Sequence, residues 1–275
     1  MSDTNIHPTA IVSPEAEIGG SVQIGPYAIV ERDVIIGDDC QIEAHAQILS
    51  GSRVGSASQI GRASIIGGDP QSLAFDRRMR TYVEIGAENV IREHVTIHRA
   101  TVEDGATRLG DRNFLMVGSH IGHDANVGDA NVIANAVLLA GHVELGNHTY
   151  LGGASVFHQF LRIGDHCMVQ GNGRFSKDIP HFTTAIGFNQ LAGINSIGLR
   201  RAGIALAERQ DVKHLYHILF VANRNVSLGV DMACQRQPWG ESARRLLEFC
   251  NRMTKRGICS HQRGSNRKSD SMDTD

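Results

Sequence analysis

The stretch IHPTAIVSPEAEIGGSVQIGPYAIVERDVIIG, residues 6–37, has an isoleucine or valine at every sixth position. The same period continues to Ile66 and returns, after two breaks, from Ile85 to Ile97 and from Leu109 to Phe175. No helix has a period of six residues, whereas a short strand followed by a tight turn does. The sequence therefore predicts a repeat architecture. The leading residues of its first run are Ile6, Val12, Ile18, Ile24, Val30, Ile36, Ile42, Ile48, Val54, Ile60 and Ile66.

Three such hexads close one triangular coil, so the fourth hexad lies directly above the first. We expect each leading residue to point into the prism, and the small residue four positions later, such as Ala10 or Ala28, to fit a tight corner. Coils that stack by parallel strand pairing rise about 4.8 Å each, so about nine coils predict a prism about 40 Å tall. The two breaks, at 68–82 and 99–108, predict loops that leave the coil.

The composition excludes several classes of protein. With 41% hydrophobic and 20% charged residues, the chain can bury a core. The net charge of −2 argues against nucleic acid as a partner, and no apolar run reaches the roughly 18 residues of a transmembrane helix. Met1–Pro8 lacks the basic and apolar regions of a signal peptide. Five scattered cysteines without metal-binding spacing predict free thiols and a cytoplasmic protein.

The six-residue period fades after Pro180, where helical patterns begin. Apolar residues near helical spacing predict one helix over Ile204–Asn223 and a second over Glu241–Met253. From Ser260 onward the chain is polar and without pattern. We therefore predict a β-helix domain of residues 1–190, a helical domain of residues 191–258 and a disordered tail of residues 259–275.

The period also brings distant histidines together. A step of three hexads, one full coil, places His123 directly under Gly141 and Asp124 directly under His142. By the same step, successive coils carry a polar cluster near one edge of the prism. Its members are His120, His123, Asp124, Gly141, His142, His158 and Gln159.

Three interpretations of this cluster are open at this point. The first is a stacked polar ladder without chemistry, and the second is a zinc site, since three histidines can bind zinc. The third is acid–base catalysis, because an unperturbed imidazole with a pKa near ~6.5 can take a proton from a hydroxyl. In that case Asp124 could orient an imidazole, and Gly141 could present a backbone N–H to a developing oxyanion.

Four short motifs make a resemblance specific. They are IHRAT at Ile97–Thr101, HIGHD at His120–Asp124, AGH at Ala140–His142 and HQF at His158–Phe160. With the repeats, they resemble the hexapeptide-repeat acyltransferases, and in particular the UDP-N-acetylglucosamine O-acyltransferase family, over Ile6 to about Ile258. The resemblance implies a left-handed parallel β-helix with a C-terminal α-helical domain, although the general rule for parallel crossovers predicts the right hand. It also implies a homotrimer with sites between subunits.

The resemblance further implies an activity and residue roles. His123 matches a general base for the 3-hydroxyl of a UDP-amino sugar, which attacks a (3-hydroxy)acyl thioester on acyl carrier protein without a covalent acyl-enzyme. Gly141 matches the oxyanion donor, and Gly171 matches a position that helps set acyl length. No cofactor or metal is implied, because the phosphopantetheine arrives with the donor. The remaining positions implied to contact substrate are His120, His142, His158, Gln159, Asn195 and Arg201.

This sequence departs from the family pattern at three places. Ser72 and Ala74 stand where the family usually has an aspartate and a lysine, and Ile197 stands where a glutamate is common. A different sugar nucleotide, including a 3-amino sugar, is therefore an alternative acceptor. The related N-acyltransferase, a zinc-dependent hexapeptide enzyme and an inactive paralogue are further alternatives. We expect Arg200, Arg201 and the first loop, with Arg77, Arg78 and Arg80, to contact the acidic acyl carrier protein.

Overall fold

A computed structural model describes residues 4–223, 225–236, 238–252 and 254–262. Residues 4–186 wind into a three-faced coil whose strands pair in parallel with the coil above and below. The register is the predicted three hexads, as where Gln23 lies opposite Gln41 and Leu138 lies opposite Val156. The fold is the left-handed parallel β-helix with C-terminal helices, which confirms the predicted fold class.

Each face is one sheet of very short strands. The first face contains Asn5–Ile6, Gln23–Ile24, Gln41–Ile42, Gln59–Ile60, Val90–Ile91, Phe114–Leu115, Val132–Ile133, Tyr150–Leu151, Met168–Val169 and Thr183–Ile186. The second face contains Ile11–Val12, Ile29–Val30, Gln47–Ile48, Ile65–Gly68, Thr96–His98, His120–Ile121, Leu138–Leu139, Val156–Phe157 and Arg174–Phe175. The third face contains Glu17–Ile18, Ile35–Ile36, Ser52–Val54, Tyr82–Ile85, Ala106–Leu109, Asn126–Val127, Glu144–Leu145 and Arg162–Ile163.

The core is a narrow aliphatic column. Leading residues such as Ile48, Ile66 and Leu139 are fully buried, and so are the small corner residues such as Ala28 and Ala46. Burying each aliphatic side chain contributes about 1.5–3 kcal/mol, which is how a two-residue strand holds its place in the stack. The prism has little room for rings, which accounts for the 5% aromatic content.

The glycines at the turns serve close packing between coils more than backbone flexibility. A non-glycine residue with positive φ recurs at the turns, for example Ala57 at 56° and Asp124 at 57°. The glycine at the first turn position instead allows the next coil to approach. A Cβ on Gly25 would lie 2.9 Å from the backbone nitrogen of Ala44. The glycines are therefore needed mainly for close coil packing.

The two breaks in the period leave the coil as loops at 69–81 and 99–105, slightly shorter than the predicted 68–82 and 99–108. Gly68 and Tyr82 end and begin strands, and 106–108 belong to a third-face strand. The insertions lengthen the local register, so that Ile66 lies opposite Ile97 and Ile97 lies opposite Ile121. Both loops begin from the second face, next to the histidine cluster.

Four α-helices follow the coil: α1 (Ser196–Arg201), α2 (Leu206–Tyr216), α3 (Val226–Gln235) and α4 (Glu241–Asn251), with a π-helical segment at His217–Ala222 between α2 and α3. The sequence predicted α2 and α4 but not the short α1 or α3. The helices pack on the end of the coil through Arg162, which pairs with the buried Asp178 and lies 4.3 Å from the Phe249 ring centre. No helix in the described part of the chain is long and apolar enough to cross a membrane.

The start of the predicted tail is ordered, which corrects the sequence prediction. Cys259 is buried, and Ser260–His261 form a strand beside Gln190–Ile194. This backbone pairing, with a hydrogen bond of 2.9 Å between the Tyr216 hydroxyl and the Nδ1 atom of His261, holds residues that composition alone predicted to be disordered. The rest of the predicted tail, 263–275, lies outside the described residues. The proposed domain boundaries at 190 and 258 stay a prediction.

Candidate active site

A cavity of about 530 Å³ lies on the second face, where the first loop and the turns after three successive coils meet. Its lining combines polar and large apolar side chains. The polar side chains that line it are Gln71, His98, His120, His123, His158, Gln159, Arg174 and Ser176. The large apolar side chains are Leu138, Val156, Phe157, Phe175 and Phe188.

His123 and Asp124 form a hydrogen-bonded pair at the edge of this cavity. The Nδ1 atom of His123 lies 2.7 Å from the Oδ2 atom of Asp124. A carboxylate can only accept, so Nδ1 carries the proton and the lone pair stands on Nε2. The pair can therefore present a base toward the cavity.

Asp124 is fixed by two threonines, one in the second loop and one in the strand that follows it. The Thr101 hydroxyl donates to Oδ2 at 2.7 Å, and its backbone N–H donates to Oδ1 at 3.1 Å. The backbone N–H of Asp124 donates to the Thr107 hydroxyl at 2.7 Å. Burial acts to raise the pKa of the Asp124 carboxyl, but the bonds from Thr101 and His123 outweigh it and hold that pKa below its usual range. Asp124 is thus kept ionised and oriented.

Gly141 lies directly against the imidazole of His123. A Cβ at position 141 would come within 2.6 Å of the Nε2 atom of His123, so any side chain there would displace the base. Within the described residues, the backbone N–H of Gly141 donates to no acceptor. The period's placement of Gly141 beside His123 is thus observed, and the role of its backbone N–H stays a prediction.

The neighbouring histidines are held in the neutral form. Burial, with the imidazole of His123 beside it, lowers the pKa of His120, whose Nδ1 atom lies 2.7 Å from the Thr96 hydroxyl. Burial also lowers the pKa of His142, whose Nε2 atom lies 3.6 Å from the Asp124 carboxylate. The His142 ring stacks on Phe160 with centres 4.4 Å apart. Neutral imidazoles can both donate and accept hydrogen bonds to a sugar.

The structure brings only part of the predicted set into this cavity. His120, His123, Gly141, His158 and Gln159 line it, while Asp124 and His142 lie directly behind. Three predicted residues do not line it: Gly171, whose added Cβ would lie 3.0 Å from the Gly153 carbonyl, Asn195 and Arg201. Asn195 instead caps α1 and donates to the His166 carbonyl at 2.9 Å. Arg201 lies in the last turn of α1. The roles of all these residues stay predictions.

Sequence reasoning missed several residues that line the cavity. His98 lies 4.7 Å from His120 between ring centres, and burial, with His120 and His123 nearby, lowers its pKa to about 4. The regular step of three hexads does not connect His98 to the cluster, because the second loop lengthens this coil and sets Thr96 opposite His120. The IHRAT motif, which contains His98, was the sequence signal that could have pointed to this residue. Gln71, Arg174 and Phe188 were also missed, since a loop or an end strand places them.

The residues that departed from the family pattern lie outward. Ser72, Ala74 and Ile197 are exposed, and none of them lines the cavity. The loop arginines are already paired, Arg77 with Asp69 at 3.1 Å, Arg78 with Asp76 at 2.7 Å and Arg80 with Asp104 at 2.8 Å. Each of these pairs is exposed.

One group of side chains in the described residues has metal-ligand character. Ligand atoms of His123, Asp124 and His142 lie within 4.8 Å of one another. The Oδ2 atom of Asp124 already accepts hydrogen bonds from His123 and from the Thr101 hydroxyl. A metal ion would have to replace the bond to His123, so the hydrogen bonds fit proton transfer better than metal binding.

The repeats and the cavity together define a hexapeptide-repeat transferase. A family model described as bacterial transferase hexapeptide (six repeats) matches residues 15–50. A second model, described as UDP N-acetylglucosamine O-acyltransferase, domain 2, matches residues 178–259. The two models cover the early coils and the helical end.

Whole-chain comparisons are more specific. The acyl-[acyl-carrier-protein]–UDP-N-acetylglucosamine O-acyltransferase of Alkalilimnicola ehrlichii is 48% identical over 81% of this chain and 87% of its own. The enzyme of the same name from Paraburkholderia phymatum is 43% identical over 93% of this chain and 99% of its own. The chain belongs to the UDP-N-acetylglucosamine O-acyltransferase family and is an acyltransferase.

Solved structures agree with this assignment. The UDP-N-acetylglucosamine acyltransferase of Bacteroides fragilis is 36% identical, with a TM-score of 0.87 over 92% of this chain and 99% of its own. The UDP-N-acetylglucosamine O-acyltransferase of Moraxella catarrhalis is 38% identical, with a TM-score of 0.86 over 92% of this chain and 99% of its own. The resemblance seen in the four motifs is confirmed.

Proposed function

We propose that the protein transfers a (3-hydroxy)acyl group from acyl carrier protein to the 3-hydroxyl of UDP-N-acetylglucosamine, the first step of lipid A biosynthesis. The curated relatives carry the donor and the acceptor in their names. One observation in this chain carries the proposal. The Nε2 atom of His123 lies against Gly141 while its Nδ1 atom is bound to Asp124.

The proposed reaction has two steps. His123 takes the proton of the sugar hydroxyl at Nε2 as the oxygen attacks the thioester carbonyl carbon. The carbonyl oxygen becomes an oxyanion, which the N–H of Gly141 stabilises. The intermediate then expels the pantetheine sulfur, which takes the proton back from His123, leaving an ester and a thiol. Asp124 stabilises the imidazolium that exists between the two steps.

The energetics of this route require no covalent intermediate, because a thioester is already activated. Holding donor and acceptor together contributes up to about 7–11 kcal/mol of the barrier. A positioned base contributes about 10²–10⁴-fold in rate, and one oxyanion donor about 10²–10³-fold. We therefore propose that no metal or cofactor takes part, and that the phosphopantetheine arrives with the donor.

The other predicted residues are assigned to substrate binding. We place the sugar beside the histidines of the cavity, where His120, His158 and Gln159 offer donors and acceptors. His142 acts from behind Asp124. Asn195 and Arg201 lie outside the cavity of a single subunit, so we assign them to the nucleotide and the pantetheine arm in a site shared between subunits. Gly171 helps to set acyl length.

A homotrimer is part of this proposal, and the outer surfaces of the coil support it. The outer residues of the first face change from Gln23, Gln41 and Gln59 to apolar ones further along. Tyr150 and Met168 there are 38% and 37% exposed, and Leu138 on the second face is 45% exposed. Two apolar faces on each subunit suit a closed ring of three. Cytoplasmic localisation also stays a proposal, supported by five free cysteines.

The test is direct. Purified protein is incubated with UDP-N-acetylglucosamine and acyl carrier proteins that carry acyl groups of graded length, and the products are identified by mass. A 3-O-acylated sugar nucleotide supports the proposal. A preference for a 3-amino sugar nucleotide over UDP-N-acetylglucosamine would identify the amino sugar as the acceptor. The absence of product with every donor would refute the activity.

A further inference from the structure

One outer column of the second face crosses the whole cavity. Its successive residues are paired in register: His120 with Leu138, Leu138 with Val156, and Val156 with Arg174. All four line the cavity. Three steps of about 4.8 Å separate the first from the last, so the column is about 14 Å long. It consists of two apolar positions between a histidine and an arginine.

The polarity of the cavity gives this column a direction. The reacting corner, at His123 and Gly141, lies beside the coils of His120 and Leu138. Below it are the polar His98 and Gln71, which suit a sugar. Above it, Leu138 and Val156 of the column and the rings of Phe175 and Phe188 suit a hydrocarbon, while His158, Gln159 and Ser176 also line the cavity in these coils. An acyl chain that starts at the reacting corner therefore extends along the column toward Arg174.

Arg174 interrupts this apolar surface. Its side chain is exposed, and it pairs with no acidic side chain in the parts of the chain that the structure describes. The aromatic Phe188 lies opposite Arg174 in a parallel bridge, so apolar surface continues on its far side. A methyl group that passed Val156 would lie against a guanidinium and remove water from it, which is unfavourable.

We propose that Arg174 ends the acyl groove and sets the longest acyl group that the enzyme accepts efficiently. This inference rests on the proposed function, and it adds a specificity-determining residue to Gly171. Methylenes up to the level of Val156 gain apolar contact, whereas those beyond it meet the charged end of Arg174. The proposal concerns the acyl chain only, so it predicts no change in the acceptor.

The test compares donor profiles. kcat/KM is measured with acyl carrier proteins that carry acyl groups of increasing length, for the wild type, Arg174→Leu and Arg174→Lys. Arg174→Leu adds a third apolar position, so we expect kcat/KM for donors longer than the wild-type optimum to rise about fourfold per added methylene, the equivalent of burying one CH₂. Shorter donors stay unchanged. Arg174→Lys retains a polar end and the wild-type profile.

The matched control is Arg108→Leu, the same change at an outer position of the third face, where Arg108 pairs with Glu84 at 2.9 Å. It should leave the profile unchanged. An equal loss for all donor lengths in Arg174→Leu would indicate a contact with a phosphate group and overturn the inference. An unchanged donor-length profile in an active Arg174→Leu enzyme would also overturn the inference, but it would leave the proposed function in place. No transfer by the wild type with any donor would refute both the inference and the proposed function.

Discussion

At the scale of single residues, the site depends on how one histidine is held. In the proposed mechanism, His123 needs a proton on Nδ1, a free lone pair on Nε2 and an unobstructed neighbour. The carboxylate of Asp124 supplies the first two, and the missing side chain of Gly141 supplies the third. The sequence predicted this trio because the step of three hexads stacks position 123 under position 141. It did not predict Thr101, because that contact comes from the second loop, whose path the period does not describe.

The first prediction concerns the base itself. His123→Ala should lower kcat by about 10²–10⁴-fold, because the sugar hydroxyl loses its proton acceptor. The change should leave the circular dichroism spectrum and the oligomeric state unaltered. His94→Ala is the control, since His94 is an exposed turn histidine outside the cavity. Full activity in His123→Ala would contradict the assignment of His123 as the general base.

The second prediction concerns the threonine that orients Asp124 and, through Asp124, His123. Thr101→Val removes the 2.7 Å bond to Asp124 and should lower kcat about tenfold, the cost of one hydrogen bond to a charged group. Because Thr101 helps hold the pKa of Asp124 low, its loss should raise that pKa. Ionised Asp124 is then lost at a higher pH, so the acid limb of kcat against pH should shift upward. Thr101→Ser keeps the hydroxyl and should restore both values; a merely structural role for Thr101 would leave the pH profile in place.

The third prediction concerns metal. Because the hydrogen bonds of Asp124 compete with a metal ion, dialysis against a chelator should leave kcat unchanged. Elemental analysis of the purified protein should find less than stoichiometric zinc. Activity lost to the chelator and restored by zinc would contradict the proton-transfer mechanism and favour a zinc-dependent enzyme.

At the scale of elements, strands were easier to predict than helices. A six-residue period is a strong signal because each short strand repeats one core position, and it survives two insertions. The helical end has no repeat. Helix α1 has only six residues and is fixed by the Asn195 side chain, which accepts from the Gly198 N–H at 3.0 Å. Helix α3 was obscured because buried Gly229 contacts the backbone of Leu219, a tertiary reason that pattern reading does not include.

The fourth prediction concerns the junction between the coil and helix α4. His181 contacts the Phe249 ring of α4, and its Nδ1 atom accepts a hydrogen bond from the Asp165 N–H at 2.7 Å. Burial, with the charge of Arg162 beside it, lowers the pKa of His181 from 6.5 to about 4. The folded state thus favours the neutral ring. Its contribution is fully present above pH 6.5 and is lost as the pH falls toward 4, up to about 3 kcal/mol.

The thermal unfolding midpoint should therefore fall steeply between pH 6.5 and 4. His98, whose pKa is also lowered to about 4, adds to this slope. His181→Gln keeps a neutral acceptor and should flatten the dependence, whereas His94→Gln, at an exposed turn, should not. An equal slope in wild type and His181→Gln would contradict the role of this junction.

At the scale of the whole molecule, the three faces differ in what they can contact. The third face carries outward charges such as Glu84, Arg108 and Glu144, and it suits water. The later coils of the first face and the second face carry apolar residues outward. The cavity opens on the second face, so a neighbour that covers this face would also enclose the substrates. The period predicts which residues point outward, but a single chain gives no contact between copies.

The fifth prediction tests this arrangement. Met168→Arg places a charge on the outer side of the first face, where burial in an interface is expected to cost several kcal/mol. The proposed trimer should dissociate at protein concentrations at least about 100-fold higher than that of the wild type, measured by sedimentation. Activity should fall with it, because the proposed site is shared between two subunits. Asn126→Arg makes the same kind of change on the third face and should leave both the trimer and kcat intact. A stable, fully active trimer in Met168→Arg would show that the first face does not form the interface.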